Sequence, residues 1–152
     1  MRNFEQVKDV LDYGQKIHAD LQSFYRSIND EKQQTRVKML LDFLSRHEQH
    51  REKALADFEG EAKKHILDTW LQYKPSIDIE KLIGDQSIQP NMPIDEVTKI
   101  AVDFDNALIE LYRETAAAID VPQVKKLFEN LLEMENNEKL RFVRDAGLLN
   151  DI

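Results

Sequence analysis

"RHEQHREKAL", residues 46–55, sets two histidines three positions apart, with a glutamate between them and an arginine directly after. Which of these side chains points inward decides what kind of helical protein the chain builds. Around the stretch, Val37, Leu40, Leu41, Leu44, Leu55 and Phe58 recur at the i, i+3, i+4, i+7 spacing of a helix that buries one stripe. At about 100° per residue, that stripe centres close to Arg51. Glu48 lies roughly 60° from the centre, His47 about as far on the other side, and His50 roughly 100° away. The expected register therefore turns Glu48 and Arg51 inward and leaves the histidines flanking them. A rival register makes His47 and His50 an inward H-x-x-H with metal-ligand character.

Three further stretches carry the same period. The spacing predicts a first helix over about 3–29, with Phe4, Val7, Leu11, Leu21, Phe24, Tyr25 and Ile28 on one side, and a second over 33–70. A third runs from Pro93 to Ile119 with Val97, Ile100, Ala101, Phe104, Leu108, Leu111 and Tyr112. The fourth runs from Pro122 to about Gly147 with Val124, Leu127, Phe128, Leu131 and Phe142. Pro93 and Pro122 suit first turns, where the missing N–H costs nothing. The joints "NDEK" and "IDVP" are short and imply antiparallel neighbours. Residues 71–93 form a longer connection with a short helix at "IDIEKLIG". The expected architecture is all-α: two antiparallel helical hairpins joined by one long crossover.

The totals agree. A chain of 152 residues fits one domain over 1–152, and four glycines and four prolines favour long elements over turns. Net charge is −8 with Lys and Arg scattered, a surface that repels a phosphate backbone and argues against nucleic acid. There are no cysteines, which excludes disulfides, thiolate metal sites and cysteine nucleophiles. No apolar run approaches a membrane span, so a soluble cytoplasmic protein is expected.

The hairpins read as repeats. A shift of 87 residues lays Tyr25-Arg26 on Tyr112-Arg113, Val37 on Val124, Leu40 on Leu127 and Leu44 on Leu131. It also lays His18 on Asp105, Glu48 on Glu135 and Arg51 on Glu138. His18 shares a face with Leu11, Leu21 and Tyr25, and Asp105 with Ala101, Leu108 and Tyr112. Glu135 and Glu138 sit among Phe128, Leu131 and Phe142. Six ionisable groups are thus expected in one interior: His18, Glu48, Arg51, Asp105, Glu135 and Glu138. Unpaired, each would cost several kcal/mol, so they must be paired, protonated or bound to metal.

This constellation resembles the ferritin-like superfamily, in particular its rubrerythrin-type branch, across nearly the whole chain. That family sets a glutamate from each of two helices and an E-x-x-H from each of the other two around two metals. The corresponding pattern here is His18…Tyr25…Glu48-x-x-Arg51 and Asp105…Tyr112…Glu135-x-x-Glu138. The resemblance implies a di-metal site, and the departures alter it. His18 stands at one glutamate position, Asp105 at the other, and Arg51 and Glu138 replace the motif histidines. Only Glu48 and Glu135 keep the family type. A guanidinium offers a metal no lone pair.

Two functions follow as expectations. One is a non-catalytic scaffold with internal salt bridges, acting through its surface as a homodimer or with a protein partner. The other is a metal-handling protein or oxidoreductase that keeps one divalent ion on Glu48, Asp105, Glu135, Glu138 and His18. An all-oxygen set favours Mg²⁺ or Mn²⁺, with Fe²⁺ if His18 joins. Tyr25 and Tyr112 read as packing residues and His65 as a surface residue. Trp70 and Tyr73 are expected near the end of the second helix, covering the bundle's end or touching another subunit.

Overall fold

The computed structural model describes residues 3–86, 89 and 91–150, with side chains through 147. Expectations touching residues 1, 2, 151 and 152, and 87, 88 and 90 of the crossover, lie outside the described residues. In chain order the elements are β1 (Phe4–Gln6), α1 (Val7–Ile28), α2 (Thr35–Glu61), α3 (Lys64–Leu67), β2 (Trp70–Tyr73), α4 (Ile79–Gly84), α5 (Ile94–Ala117) and α6 (Pro122–Asn150). The four long helices fall where the apolar period puts them. They pack chiefly as α1 on α2 and α5 on α6. Among the described residues, no helix is long and apolar enough to cross a membrane.

The core is one continuous cluster fed by all four long helices, including Leu11, Leu21, Leu41, Leu55, Phe104, Leu108, Phe128 and Phe142. Aromatic edges lock the hairpins together. Phe24 of α1 meets Phe104 of α5 at 5.6 Å with ring planes 89° apart, the edge-to-face arrangement that ring quadrupoles favour.

Two boundaries differ from the expected ones. The first helix does not begin at residue 3, because Phe4–Gln6 is a strand. The second does not reach residue 70, because α2 stops at Glu61 and Trp70–Tyr73 is the antiparallel partner of that strand, Phe4 facing Tyr73. The reasons are physical. Beyond Phe58 the sequence reads Glu59-Gly60-Glu61, so the apolar stripe fades, and a helical glycine costs about 1 kcal/mol relative to alanine. Ala62 then takes an extended backbone. At the other end, the extended Phe4–Gln6 segment buries the Phe4 ring against Tyr13 and Tyr73. The start of α1 is fastened by Asp9, whose carboxylate accepts the Gln6 backbone N–H at 3.0 Å. Tyr73 lies inside this aromatic group and donates its hydroxyl to Glu114 of α5, whereas Trp70 on the same strand is exposed.

The crossover is pinned at three points. Glu114 takes the Tyr73 hydroxyl together with the hydroxyl and backbone N–H of Ser76. Asp78 caps α4 by accepting the Lys81 N–H at 3.1 Å. The buried Gln33 amide spans the loop, donating to the Gln89 carbonyl at 3.1 Å and accepting the Met92 N–H at 3.0 Å. Asn91 adopts a left-handed φ of 61°, which asparagine tolerates, and turns the chain into α5.

Gly14, mid-way along α1, is required by close approach. A Cβ there would run into the Tyr112 hydroxyl and come within 2.8 Å of Leu55 Cδ2. Gly14→Ala is therefore expected to destabilise by about 1–3 kcal/mol through overpacking, despite alanine's better helix propensity. The Tyr112 hydroxyl is buried without a hydrogen-bond partner, so Tyr112→Phe should be neutral or stabilising. Combining the two should recover most of the loss. Chemical denaturation of the four proteins in a double-mutant cycle checks this, and additive losses would refute the clash.

A second local prediction concerns the α1–α2 seam near Asp12 and Glu59. Partial burial and the neighbouring Asp12 push the Glu59 carboxyl up to about 7, against donation from Gln15 at 2.5 Å and the Lys8 charge. Because the folded value lies above the unfolded one, this group's stabilisation is full below about pH 4.5 and lost as pH rises through 7. Glu59→Gln is expected to match wild type below pH 4. Above pH 7 it should exceed wild type, by less than about 1 kcal/mol after solvent screening. Thermal melts across that range check the crossing.

Candidate site at the centre of the bundle

Each long helix sends a polar side chain to the middle of the core. His18 comes from α1, Glu48 and Arg51 from α2, Asp105 from α5 and Glu135 from α6, and all five are buried. Arg51 is the hub. One terminal nitrogen, Nη1, donates to Asp105 Oδ1 at 2.6 Å and reaches Glu48 Oε1 at 3.4 Å, while Nη2 donates to Glu135 Oε2. His18 closes the ring from the other side: Nδ1 lies 2.6 Å from Glu48 Oε2 and Nε2 lies 3.2 Å from Glu135 Oε1. A doubly protonated imidazole donates to both.

The register of α2 is the one that centres on Arg51. His47 is half-buried at the edge and His50 is exposed, so the rival inward H-x-x-H does not form. Glu138 was expected among the interior groups and is not one. It stands half-exposed on α6, 3.5 Å from His47 Nε2 and 3.6 Å from Arg141. The wheel misplaced it because Glu135 and Glu138 share one side of α6 but lie at different depths, Glu135 buried and Glu138 half-exposed, which a wheel does not distinguish. His65 is on the surface, within hydrogen-bond distance of Gln123.

The electrostatics follow from burial opposed by charge. Burial tends to raise the Glu48 carboxyl, but the Arg51 and His18 charges outweigh it and hold Glu48 below its usual value. At Asp105 burial wins over Arg51, and its carboxyl lies above the usual value. Arg51, also buried, is held more firmly protonated by Glu48 and Asp105. His47 moves the other way: burial and the Arg51 charge lower its pKa. With His18 doubly protonated, three carboxylates face two cations, and a proton on Asp105 would make the cluster neutral.

Whether these residues suit a metal pair can be read atom by atom. Both oxygens of Glu48 and both of Glu135 face Arg51 or His18, so neither carboxylate has one left to bridge ions. The Arg51 guanidinium is a permanent cation among the same oxygens. Among the described residues, no three His, Asp or Glu side chains converge as a metal-holding group. The present side chains do not fit two metals. Tyr25 and Tyr112 are fully buried beside this cluster, Tyr112 tilted against Phe128 with ring centres 6.2 Å apart. What the sequence reading missed was the Gly14–Tyr112 contact, for which the only signal is a glycine in mid-helix.

Comparison with known proteins places the architecture. A proposed ferritin-like diiron-carboxylate protein from Thermotoga maritima superposes with a TM-score of 0.58 at 16% sequence identity, covering 96% of this chain and 97% of its own. No protein-family model matches the sequence, and no curated protein matches it. The likeness is one of fold: the chain is an all-α, ferritin-like four-helix bundle.

Proposed function

We propose that this ferritin-like bundle is a non-catalytic, rubrerythrin-like scaffold of the cytoplasm in which an ion-pair hub stands at the positions where the family resemblance implies a metal pair. The observation that supports it is the engagement of Arg51 with Glu48, Asp105 and Glu135 from three helices, closed by His18 from the fourth. A guanidinium supplies charge and hydrogen bonds, but it cannot carry electrons or polarise a bound oxidant as a metal does. On this reading the working surface is the outside of the bundle, toward a second copy or a protein partner. Leu140 and Val143 stand one turn apart on α6, both exposed.

The test is metal retention. Tag-free protein exposed anaerobically to Fe²⁺, Mn²⁺ and Mg²⁺, then desalted, is expected to keep no ion whose retention depends on Glu48 or Glu135. A stoichiometric ion lost in Glu135→Gln, in protein shown to remain folded by circular dichroism, would overturn the reading. It would favour the alternative of a single-metal oxidoreductase or metal-handling protein. One observation supports that alternative: the interior carboxylates outnumber the cations even with His18 protonated, leaving a residual negative charge that a hard divalent ion would reduce.

A further inference from the structure

The chain's two Lys-Lys pairs, Lys63-Lys64 and Lys125-Lys126, are far apart in sequence, and folding brings them to one place. An open groove of about 530 Å³ runs between the end of α2, the short α3 and the start of α6. Phe58, Ile66 and Leu127 give it an apolar wall that is continuous with the core. Lys63 lines it from one side and Lys126 from the other. His65 of α3 lies 3.2 Å from Gln123 of α6, a tie between the two sides.

Two observations set these lysines apart. Lys8, Lys16, Lys81 and Lys99 each pair with a nearby carboxylate, whereas Lys63, Lys64, Lys125 and Lys126 make no ion pair among the described residues. Carboxylates outnumber cations in this chain by 29 to 21, so four cations without a partner around one groove run against its composition. The second observation concerns the helix. Lys125 and Lys126 stand near the start of α6, where the helix dipole disfavours positive charge, and no acidic side chain offsets them in the first turn. By contrast, α5 opens on Asp95 and Glu96. A local rule broken beside a groove points to a function for the groove.

We infer that this groove binds a small amphipathic anion, with an apolar or aromatic body on Phe58, Ile66 and Leu127 and a carboxylate or sulfonate head between Lys63 and Lys126. The volume lies within the roughly 300–1,000 Å³ of small-molecule sites. Two ammonium groups stand against one lining carboxylate, Glu61, and that balance selects a negative head. The apolar wall selects an amphiphile over a bare inorganic anion, because only the amphiphile gains by removing its body from water. None of Glu48, Arg51 and Glu135 lines the groove, so the inference stands apart from the reading of the interior.

The experiment titrates the tag-free full chain with anilinonaphthalene sulfonate, followed by fluorescence, and then displaces the probe with dodecanoate. Its uncharged parent, phenylnaphthylamine, serves as the comparison. Expected are saturable one-to-one binding of the sulfonate, tighter than that of the parent, and an affinity that falls as salt rises. Replacing both Lys63→Ala and Lys126→Ala should weaken the sulfonate about tenfold and leave the parent within about twofold. Ala62→Glu, which puts bulk and negative charge into the groove, should abolish sulfonate binding in protein shown to be folded by circular dichroism. Lys99→Ala, on α5, should change nothing. No saturable binding, equal affinity for both probes, or full affinity in the double variant or in Ala62→Glu overturns the inference. So does self-association in velocity sedimentation that the double lysine variant abolishes, because the groove is then an interface between copies.

Discussion

Arg51→Ala is expected to lower the stability of the fold by about 3–5 kcal/mol at neutral pH, the cost of stripping one partner from a buried charge network. The loss exceeds that of the missing contacts because Glu48, Asp105 and Glu135 stay behind, buried and without their shared cation. Without Arg51, burial acts on these three carboxyls opposed chiefly by His18, which touches Glu48 and Glu135 but not Asp105, so their folded pKa values rise, that of Asp105 first among them. The sign then follows: whatever stability they supply is present below about pH 4 and is lost as pH rises through the raised values. The deficit against wild type should therefore be largest at pH 7 and shrink toward pH 4. Denaturant titrations followed by far-ultraviolet circular dichroism measure it; the only tryptophan, Trp70, is exposed and a poor reporter of the core. Arg51→Lys should recover only part of the loss, because one ammonium cannot span three carboxylates as the planar guanidinium does. A loss under about 1 kcal/mol for Arg51→Ala, flat with pH, would remove Arg51 from the centre of the account.

Arg51→His is the complementary change. It deletes the fixed cation, frees the Glu48 and Glu135 oxygens that Arg51 holds, and restores an E-x-x-H pattern at 48–51. Metal-free, the variant should be destabilised much as Arg51→Ala is. With Fe²⁺ or Mn²⁺ supplied anaerobically at a hundred times the dissociation constant, linkage returns about 2.7 kcal/mol. For a chain of this size that corresponds to a rise in melting temperature of about 5–10 °C. Wild type should not respond to either ion. An Arg51→His protein equally indifferent would mean that the surrounding carboxylates are not arranged as a ligand sphere with one member exchanged.

Most of the interior could be read from periodicity, because a helix buries one stripe and any polar residue on that stripe must go in with it. That logic locates His18, Glu48, Arg51, Asp105 and Glu135, and it turns His50 outward. It fails at Glu138, where two residues of one face lie at different depths and only the neighbouring helix decides between them. It fails again at Phe4 and Tyr73, whose pairing joins residues far apart in the chain and leaves no mark on a local period.

From its sequence alone, then, this protein is committed to four amphipathic helices, two short joints and one long connection, and to an interior that cannot be wholly apolar. Those features follow from side-chain period and turn chemistry, which are local. The tertiary structure alone decided that Arg51 bonds three carboxylates at once, that both oxygens of Glu48 and of Glu135 are taken, and that His47 pairs with Glu138 at the half-buried edge. These depend on distances between helices, and a pattern along one helix carries no information about how closely the next one approaches.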